Sequence, residues 1–267
     1  ARSLTPADPS PLNGTASLQA DAPADPFSEP KIAAFLNALV EAIEGEVDAT
    51  TGTRARFSTD AGLYRIPPLA LVFPASVDDV LAALDLAREY EIPVTSRGGG
   101  TSCAGNAIGP GIVLDFTRHL NKVVSIDPQA RTAIVEPGCI EASLQEAAAP
   151  FGLRFGPDPS SQNRASIGGM VGNNACGPHA TAWGRTADNI VALDCVDGLG
   201  RRFTAKLEHD PSLPEVPGLA ELIDSNLGII RTELGTFGRQ VSGYSLEHLT
   251  PEKHRNLAAM LVGTEGT

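Results

Sequence analysis

Three consecutive glycines, in the run Arg97-Gly98-Gly99-Gly100-Thr101-Ser102, follow the short apolar stretch Ile92-Pro93-Val94. The apolar stretch reads as a strand, and the glycines end it. Glycine has no Cβ and adopts positive φ at little cost, so the turn after this strand is free of the usual steric limits. Such a turn can aim several backbone N–H groups at one anion, and the Thr101 and Ser102 hydroxyls add donors. A diphosphate suits a loop of this build. A solvent-facing connector would share its composition, so the loop alone does not decide the matter.

Spacing excludes two familiar phosphate motifs. A P-loop needs Lys and then Ser or Thr directly after its last glycine, and no Gly-Lys pair occurs in the chain. A Rossmann turn needs glycines in a G-x-G-x-x-G/A frame opening a helix. Gly98 and Gly100 fill the first two places, but the third falls on Cys103. The following Ala104–Gly111 is too rich in Gly and Pro to be helical.

Size and charge narrow the class further. A chain of 267 residues that is 42% hydrophobic can bury one large core or two small ones. The net charge of −12 argues against a nucleic-acid surface, which needs a basic face. It leaves room for one diphosphate solvated by backbone N–H groups. No stretch approaches a membrane span, and the beginning lacks the charged-then-apolar pattern of a signal peptide. Cys103, Cys139, Cys176 and Cys195 stand far apart, with no spacing for zinc or iron–sulfur ligation. They read as reduced, mostly buried small residues, and a cytoplasmic location is the expectation.

Residues 1–30 hold six prolines and a single basic residue. They are expected to form a disordered or loosely draped tail. Apolar residues recur at helical spacing from Lys31 to about Val47. Leu69–Phe73 reads as a buried strand. Ser76, with Asp79 three residues on, marks a capping box for a helix with Val77, Val80, Leu81, Leu84 and Ala87 inward. Strands at Pro93–Thr95 and Ile112–Asp115 complete a βαβ unit, which predicts parallel pairing. Beyond it, Lys122–Ile126 and Thr132–Val135 flank an Asp127-Pro128 turn signal. A helix with Ile140, Leu144 and Ala148 on one face follows, then loop to about Asn189, then strands near Val191–Val196 and Arg202–Thr204. The final Leu261–Thr267 reads as a strand entering a glycine turn, which suggests a piece of a longer protein.

The loop-rich middle carries a second glycine segment. Gly156-Pro157-Asp158-Pro159-Ser160-Ser161 leads through Ser166-Ile167-Gly168-Gly169-Met170-Val171-Gly172-Asn173-Asn174-Ala175-Cys176-Gly177 to Gly184-Arg185-Thr186 and Asp188-Asn189-Ile190. So many glycines are entropically expensive, and a long loop of this kind is usually functional.

Taken in order, Arg97–Ser102, Pro157–Ser161, Ile167–Asn174 and the closing Gly263-Thr264-Glu265-Gly266-Thr267 resemble one flavin superfamily, the vanillyl-alcohol oxidase / p-cresol methylhydroxylase type. The resemblance spans roughly residues 57–267. Within that superfamily it points to the FAD-linked D-2-hydroxyacid dehydrogenases: D-lactate and D-2-hydroxyglutarate dehydrogenases and glycolate oxidase subunits. Thr117–Asn121 and Val241-Ser242-Gly243-Tyr244 look like the long members fused to an iron–sulfur domain. The implied fold class is α+β, with two α+β subdomains and FAD between them. Residues 31–116 would form a small, mostly parallel sheet with the pyrophosphate loop. Residues 117–267 would form a larger, mainly antiparallel sheet with flanking helices, truncated at its end.

The resemblance also implies a set of cofactor contacts. Arg97, Gly98, Gly99, Gly100, Thr101 and Ser102 would wrap the pyrophosphate, with Asn106 close by. Pro157, Asp158, Ser161, Gly168, Gly169, Asn173, Cys176 and Gly177 would line the diphosphate, ribityl chain and flavin. Gly184 and Ile190 would lie toward the ribityl chain and adenine. Some relatives tether FAD through a His directly after the glycines, where this chain has Thr101, so FAD is expected to be non-covalent. Cys176 is placed only loosely where others use a Cys. The implied reaction oxidises a D-2-hydroxy acid to the 2-oxo acid, with an electron acceptor as second partner; the alternatives are another alcohol on the same fold, or a fragment that does not bind FAD stably. Catalytic groups are expected beyond Thr267, as is any iron–sulfur cluster. His179 is the one histidine inside a glycine segment, and it reads as a residue holding loop geometry. Gly99→Val is expected to abolish FAD retention while leaving the fold largely intact.

Overall fold

The computed structural model describes residues 29–207, 212–236 and 243–266. The expectation for the N-terminal tail falls almost wholly outside these residues, as do His209, Val241, Ser242 and Thr267. A four-stranded sheet forms the first half, in the order β1-β2-β4-β3. It comprises β1 (Glu46–Asp48), β2 (Ala70–Phe73), β3 (Val94–Arg97) and β4 (Ile112–Asp115). β2 and β3 both run parallel to β4, as the βαβ pattern predicts, while β1 is antiparallel to β2.

β2 and β4 are continuous apolar runs because both sheet faces are covered. Ala70, Val72, Ile112 and Leu114 pack on Phe35 and Leu39 of α1 (Pro30–Ala42) and on Ala83 and Ala87 of α3 (Val77–Glu89). Leu71, Phe73 and Val113 face the other way, toward Phe57 beyond α2 (Thr51–Arg56). Although α3 connects β2 to β3, β4 lies between those strands. Parallel neighbours need a long return path. For β3 and β4 that path is residues 98–111, so the glycine loop is itself a crossover connection.

Two details differ from the sequence expectation. The first helix stops at Ala42, and Glu46–Asp48 becomes an edge strand. Gly45 permits this, since a Cβ there would sit 2.2 Å from the Phe73 carbonyl oxygen. Ser76 does cap α3, accepting the Asp79 N–H at 3.2 Å. The Asp79 carboxylate does not complete a capping box, however. It accepts N–H groups from Glu44, Gly45 and Ala75 at 3.0, 3.0 and 2.8 Å, tying the α1–β1 turn to α3. The inward face of α3 is consequently Asp79, Ala83 and Ala87, supported by Val80 and Leu86, and Val77 is exposed.

The second half contains two separate antiparallel hairpins among the described residues, not one larger sheet. They are β5 (Val123–Asp127) with β6 (Thr132–Val135), and β7 (Ala192–Val196) with β8 (Arg202–Lys206). Each closes on a local turn organised by an aspartate. Asp127 accepts the N–H groups of Gln129 and Ala130, and Asp197 those of Leu199 and Arg201, each at 2.9 Å. Between the hairpins lie α4 (Glu141–Ala148), α5 (Ile167–Asn173), α6 (Ala180–Trp183) and α7 (Thr186–Asn189). Leu144, Ile167, Met170 and Cys139 form the core there. A further core joins Ala205 of β8 to α8 (Leu219–Ser225), α9 (Leu227–Glu233) and α10 (Leu257–Leu261). The expected terminal strand is absent: Leu261 ends α10, which Asn256 caps by accepting the Ala259 N–H. All four cysteines are free thiols, and Cys103 is exposed where a buried residue was expected.

Candidate cofactor site

β3 delivers the first glycine loop to the surface of the sheet. None of the backbone N–H groups from Gly98 to Cys103 donates a hydrogen bond to another described residue. These six successive donors lie on partly or fully exposed residues and stand open to solvent or a ligand; only buried backbone groups are obliged to pair within the chain. Gly100 takes a φ of +65°. Gly98 and Gly99 serve a different purpose from the one their composition suggests. A Cβ on Gly98 would lie 1.9 Å from Ser166 Oγ, and one on Gly99 would lie 1.8 Å from the Arg164 carbonyl oxygen. The missing side chains let the first glycine loop press directly on the second segment.

Arg97 anchors the base of this loop. Its guanidinium donates to the carbonyls of Thr59 and Ala107 at 3.1 and 2.9 Å and lies over the Phe57 ring. Burial pushes the guanidinium below its ordinary value; Asp115 and Asp60 oppose that shift, and Arg164 adds to it. The Thr101 hydroxyl has no partner among the described residues. That of Ser102 is committed: it donates to Asn106 Oδ1 at 2.6 Å and accepts the Ala104 N–H. Asn106 Nδ2 in turn donates to the Glu265 carboxylate.

The second segment is a helix where loop was expected. Ser166 caps α5 by accepting the Gly169 N–H at 3.2 Å, and the Ile167 and Gly168 N–H groups donate to Cys139 and Pro137 carbonyls. The Gly168 and Gly169 amides are therefore already paired. A Cβ on Gly168 would collide with Pro137, so this glycine answers to packing. Asn173 is exposed, whereas Asn174, at φ +47°, is buried and accepts the Ala187 N–H. Ser161 uses its carbonyl to accept the Arg164 and Ala165 N–H groups.

A second cluster forms around Asp158. Its carboxylate meets His179 Nδ1 at 2.5 Å, and a Cβ on Gly177 would lie 2.1 Å from Asp158 Oδ1. The His179 ring stacks on Trp183 with centroids 4.4 Å apart, and the Arg154 guanidinium lies 4.0 Å from the same indole. Pro157 is buried beside Asp158, and Cys176 is partly exposed beside Gly177. Gly184, at φ +75°, turns the chain beside Asp188, while Ile190 packs on the core around β8 and α10. Sequence reasoning missed Glu141 and Gln145. The Gln145 amide bonds both the N–H and the carbonyl of Phe155, directly upstream of Gly156 and Pro157. Glu141 bonds Gln145 from a fully buried position.

The closing motif completes the arrangement. The Gly263 and Glu265 N–H groups donate to the Val171 and Gly172 carbonyls, each at 2.9 Å. The first loop touches the start of α5 and the closing motif touches its end, so three motifs distant in sequence share one short helix. Unpaired N–H groups on a crossover loop are the donor set that a diphosphate requires. No group of three or more His, Cys, Asp or Glu is placed to hold a metal among the described residues. No helix among them is long and apolar enough to cross a membrane.

Residues 68–206 match the family described as FAD binding domain. D-2-hydroxyglutarate dehydrogenase of Pseudomonas putida is 34% identical over 249 residues, covering 87% of this chain and 25% of the relative. Glycolate oxidase subunit GlcD of Escherichia coli is 37% identical over 133 residues, 49% of this chain and 26% of the relative. The chain thus spans about a quarter of the length of these relatives. Among solved structures, wild-type BBE-like 1 of Physcomitrella patens superposes with a TM-score of 0.59 at 23% identity, covering 67% of this chain and 39% of that one. With the matched segment running from before β2 to the end of β8, this chain belongs to the FAD-binding domain family of the p-cresol methylhydroxylase type.

Proposed function

We propose that this chain holds FAD without a covalent link, its diphosphate in the Gly98–Cys103 loop, as the cofactor portion of an enzyme that oxidises D-2-hydroxy acids. The observation that carries this reading is the run of six unpaired N–H groups on a loop pressed against α5. Donors fixed in advance need no reorganisation when the anion arrives. The Thr101 side chain offers a hydroxyl and no group able to bond a flavin carbon. The two halves of the chain, meeting near residues 116–117, would flank the cofactor.

The chemistry supplied by bound FAD is hydride acceptance from the Cα–H of a 2-hydroxy acid, leaving the 2-oxo acid once the hydroxyl proton departs. This chain's part is to position and shield. Gly98 and Gly99 lock the phosphate loop on Arg164 and Ser166, and Arg97 braces it against two carbonyls. Gly177 and His179 fix the Asp158 segment. The named activities of the relatives support a substrate of the D-2-hydroxyglutarate or glycolate type, and a cytoplasmic setting with a separate electron acceptor goes with this reading.

Titration of the cofactor-free chain with FAD, followed by acid precipitation, tests the proposal. The expected result is saturable binding with all flavin released into the supernatant. Thr101→Glu places a carboxylate among the phosphate donors. A like charge at about 4 Å is worth up to about 4 kcal/mol at an effective dielectric near 20, so affinity should fall by up to about a thousandfold with an unchanged melting temperature for the cofactor-free form. Unaltered affinity would remove the diphosphate from this loop. Anaerobic bleaching of bound flavin by D-2-hydroxyglutarate, D-lactate or glycolate tests the substrate class.

A further inference from the structure

The Ser102–Asn106–Glu265 chain of hydrogen bonds is not explained by packing. All three side chains are at least partly exposed, and the two ends of the Asn106–Glu265 contact are 159 residues apart in sequence. Asn106 uses both ends of its amide. Oδ1 accepts from the Ser102 hydroxyl, and Nδ2 donates to Glu265. That sets the direction of every proton in the chain, because a carboxylate can only accept. The Ser102 oxygen then accepts the Ala104 N–H at 3.2 Å, which folds the end of the phosphate loop back on itself. Glu265 is itself held by its N–H bond to Gly172 at the end of α5.

We infer that Glu265 is a positioning residue for the phosphate loop, acting through Asn106 on Ser102, and that it couples the closing motif to cofactor affinity. This rests on the proposed placement of the diphosphate at Gly98–Cys103. α5 would then fix the loop at two points: directly at Gly98 and Gly99 through Arg164 and Ser166, and at Ser102 through Glu265 and Asn106. Glu265 itself carries a charge of the wrong sign to meet a diphosphate. Its contribution is orientation, and the proton order of the chain makes that testable.

The test is a swap of the two groups in the full 267-residue chain. Asn106→Asp alone sets two carboxylates against each other and removes the donor to Glu265. Pairing it with Glu265→Gln restores a donor–acceptor contact with the polarity reversed, since the new carboxylate accepts from both Ser102 and the Gln amide. The double variant also has the same net charge as the wild type. Two readouts are taken, the melting temperature of the cofactor-free chain and the FAD dissociation constant. Asn106→Asp is expected to lower the first and to weaken FAD binding about tenfold or more. N106D/E265Q is expected to recover both to within about threefold in affinity. Glu265→Ala should weaken binding and Glu265→Gln should nearly retain it. A double variant no better than Asn106→Asp in melting temperature would show that the relay does not exist. Recovery of melting temperature without any effect of the single variants on FAD affinity would show a structural bond with no positioning role, and would overturn the inference. A wild-type chain that binds no FAD would instead refute the placement of the diphosphate, while the melting-temperature cycle still judges the relay.

Discussion

Gly99 faces the Arg164 carbonyl so closely that a Cβ would lie 1.8 Å from its oxygen and 2.8 Å from its carbon. The neighbouring atoms are backbone, which has no rotamer to move. This contact joins the two glycine segments and revises the expectation that Gly99→Val would leave the fold largely intact. Even Gly99→Ala must push the loop off the start of α5, at a cost of about 2 kcal/mol or more by analogy with overpacked cores. The cofactor-free chain should melt several degrees lower. Gly228→Ala provides the contrast, because nothing lies within 4 Å of a Cβ in that α9 position. It should gain about 0.5–1 kcal/mol from helix propensity. Equal melting temperatures for the wild type and Gly99→Ala would dissolve the joint.

Asp79 concentrates three N–H donors from two turns on one buried carboxylate. Asp79→Ala leaves those donors without a charged acceptor, which costs on the order of 3 kcal/mol. In a chain of this size that is a melting shift of about 6–12 °C. Hydrogen exchange at Glu44 and Gly45 should accelerate in the variant. Unchanged exchange would mean that β1 is held by its pairing with β2 alone.

The parts of the fold legible in the sequence were those fixed by local pattern. β2 and β4 are uninterrupted apolar runs, and the Asp127-Pro128 and Gly-bounded turns announce their hairpins. α5 was illegible because three of its seven residues are glycine and its stability comes from outside, through the Pro137 and Cys139 carbonyls and the Ser166 cap. The register of α3 misled for a similar reason: Asp79, a polar residue, occupies the inner face because distant N–H groups satisfy it. Glycine content marked both site segments correctly as places of close approach. It could not say whether the approaching group was a ligand or, as at Gly98, Gly99, Gly168 and Gly177, another stretch of the same chain.

Glu141 gives a prediction of opposite sign to that for a surface carboxylate. It is fully buried, with Oε2 lacking a partner among the described residues and Oε1 bonded to Gln145. Burial pushes its carboxyl up, against the opposing pull of Gln145 and Arg154. A carboxyl raised in the folded state binds its proton more tightly there than in the unfolded chain. Stability is then greatest below the ordinary glutamate value of about 4.3 and declines as pH rises through the raised value. Glu141→Gln removes the titration. In thermal melts the variant should equal the wild type near pH 4, exceed it as pH rises above about 4.3, and level off once pH passes the raised value. A constant difference across that range would show that Glu141 does not titrate abnormally.

Asp158 and His179 form the clamp of the second glycine segment, and the clamp should open on the acid side. Burial pushes the Asp158 carboxyl up, but the hydrogen bonds and charge of His179, with Arg154 behind it, outweigh burial and hold the carboxyl below its ordinary value. The sign is therefore the reverse of Glu141. The contribution is complete above the unfolded aspartate value of about 3.9 and disappears as pH falls through the depressed folded value. His179→Ala should melt lower than the wild type from pH 5 to 7, with the gap closing as pH falls below about 3.9 and Asp158 protonates in both. Trp183 is the chain's only tryptophan, and His179 stacks on it. Its fluorescence should change as pH falls below about 3.9 in the wild type and stay flat in the variant. If the melting gap persists undiminished in acid strong enough to protonate Asp158, ring stacking on Trp183, and not the bond to Asp158, is what His179 contributes to the clamp.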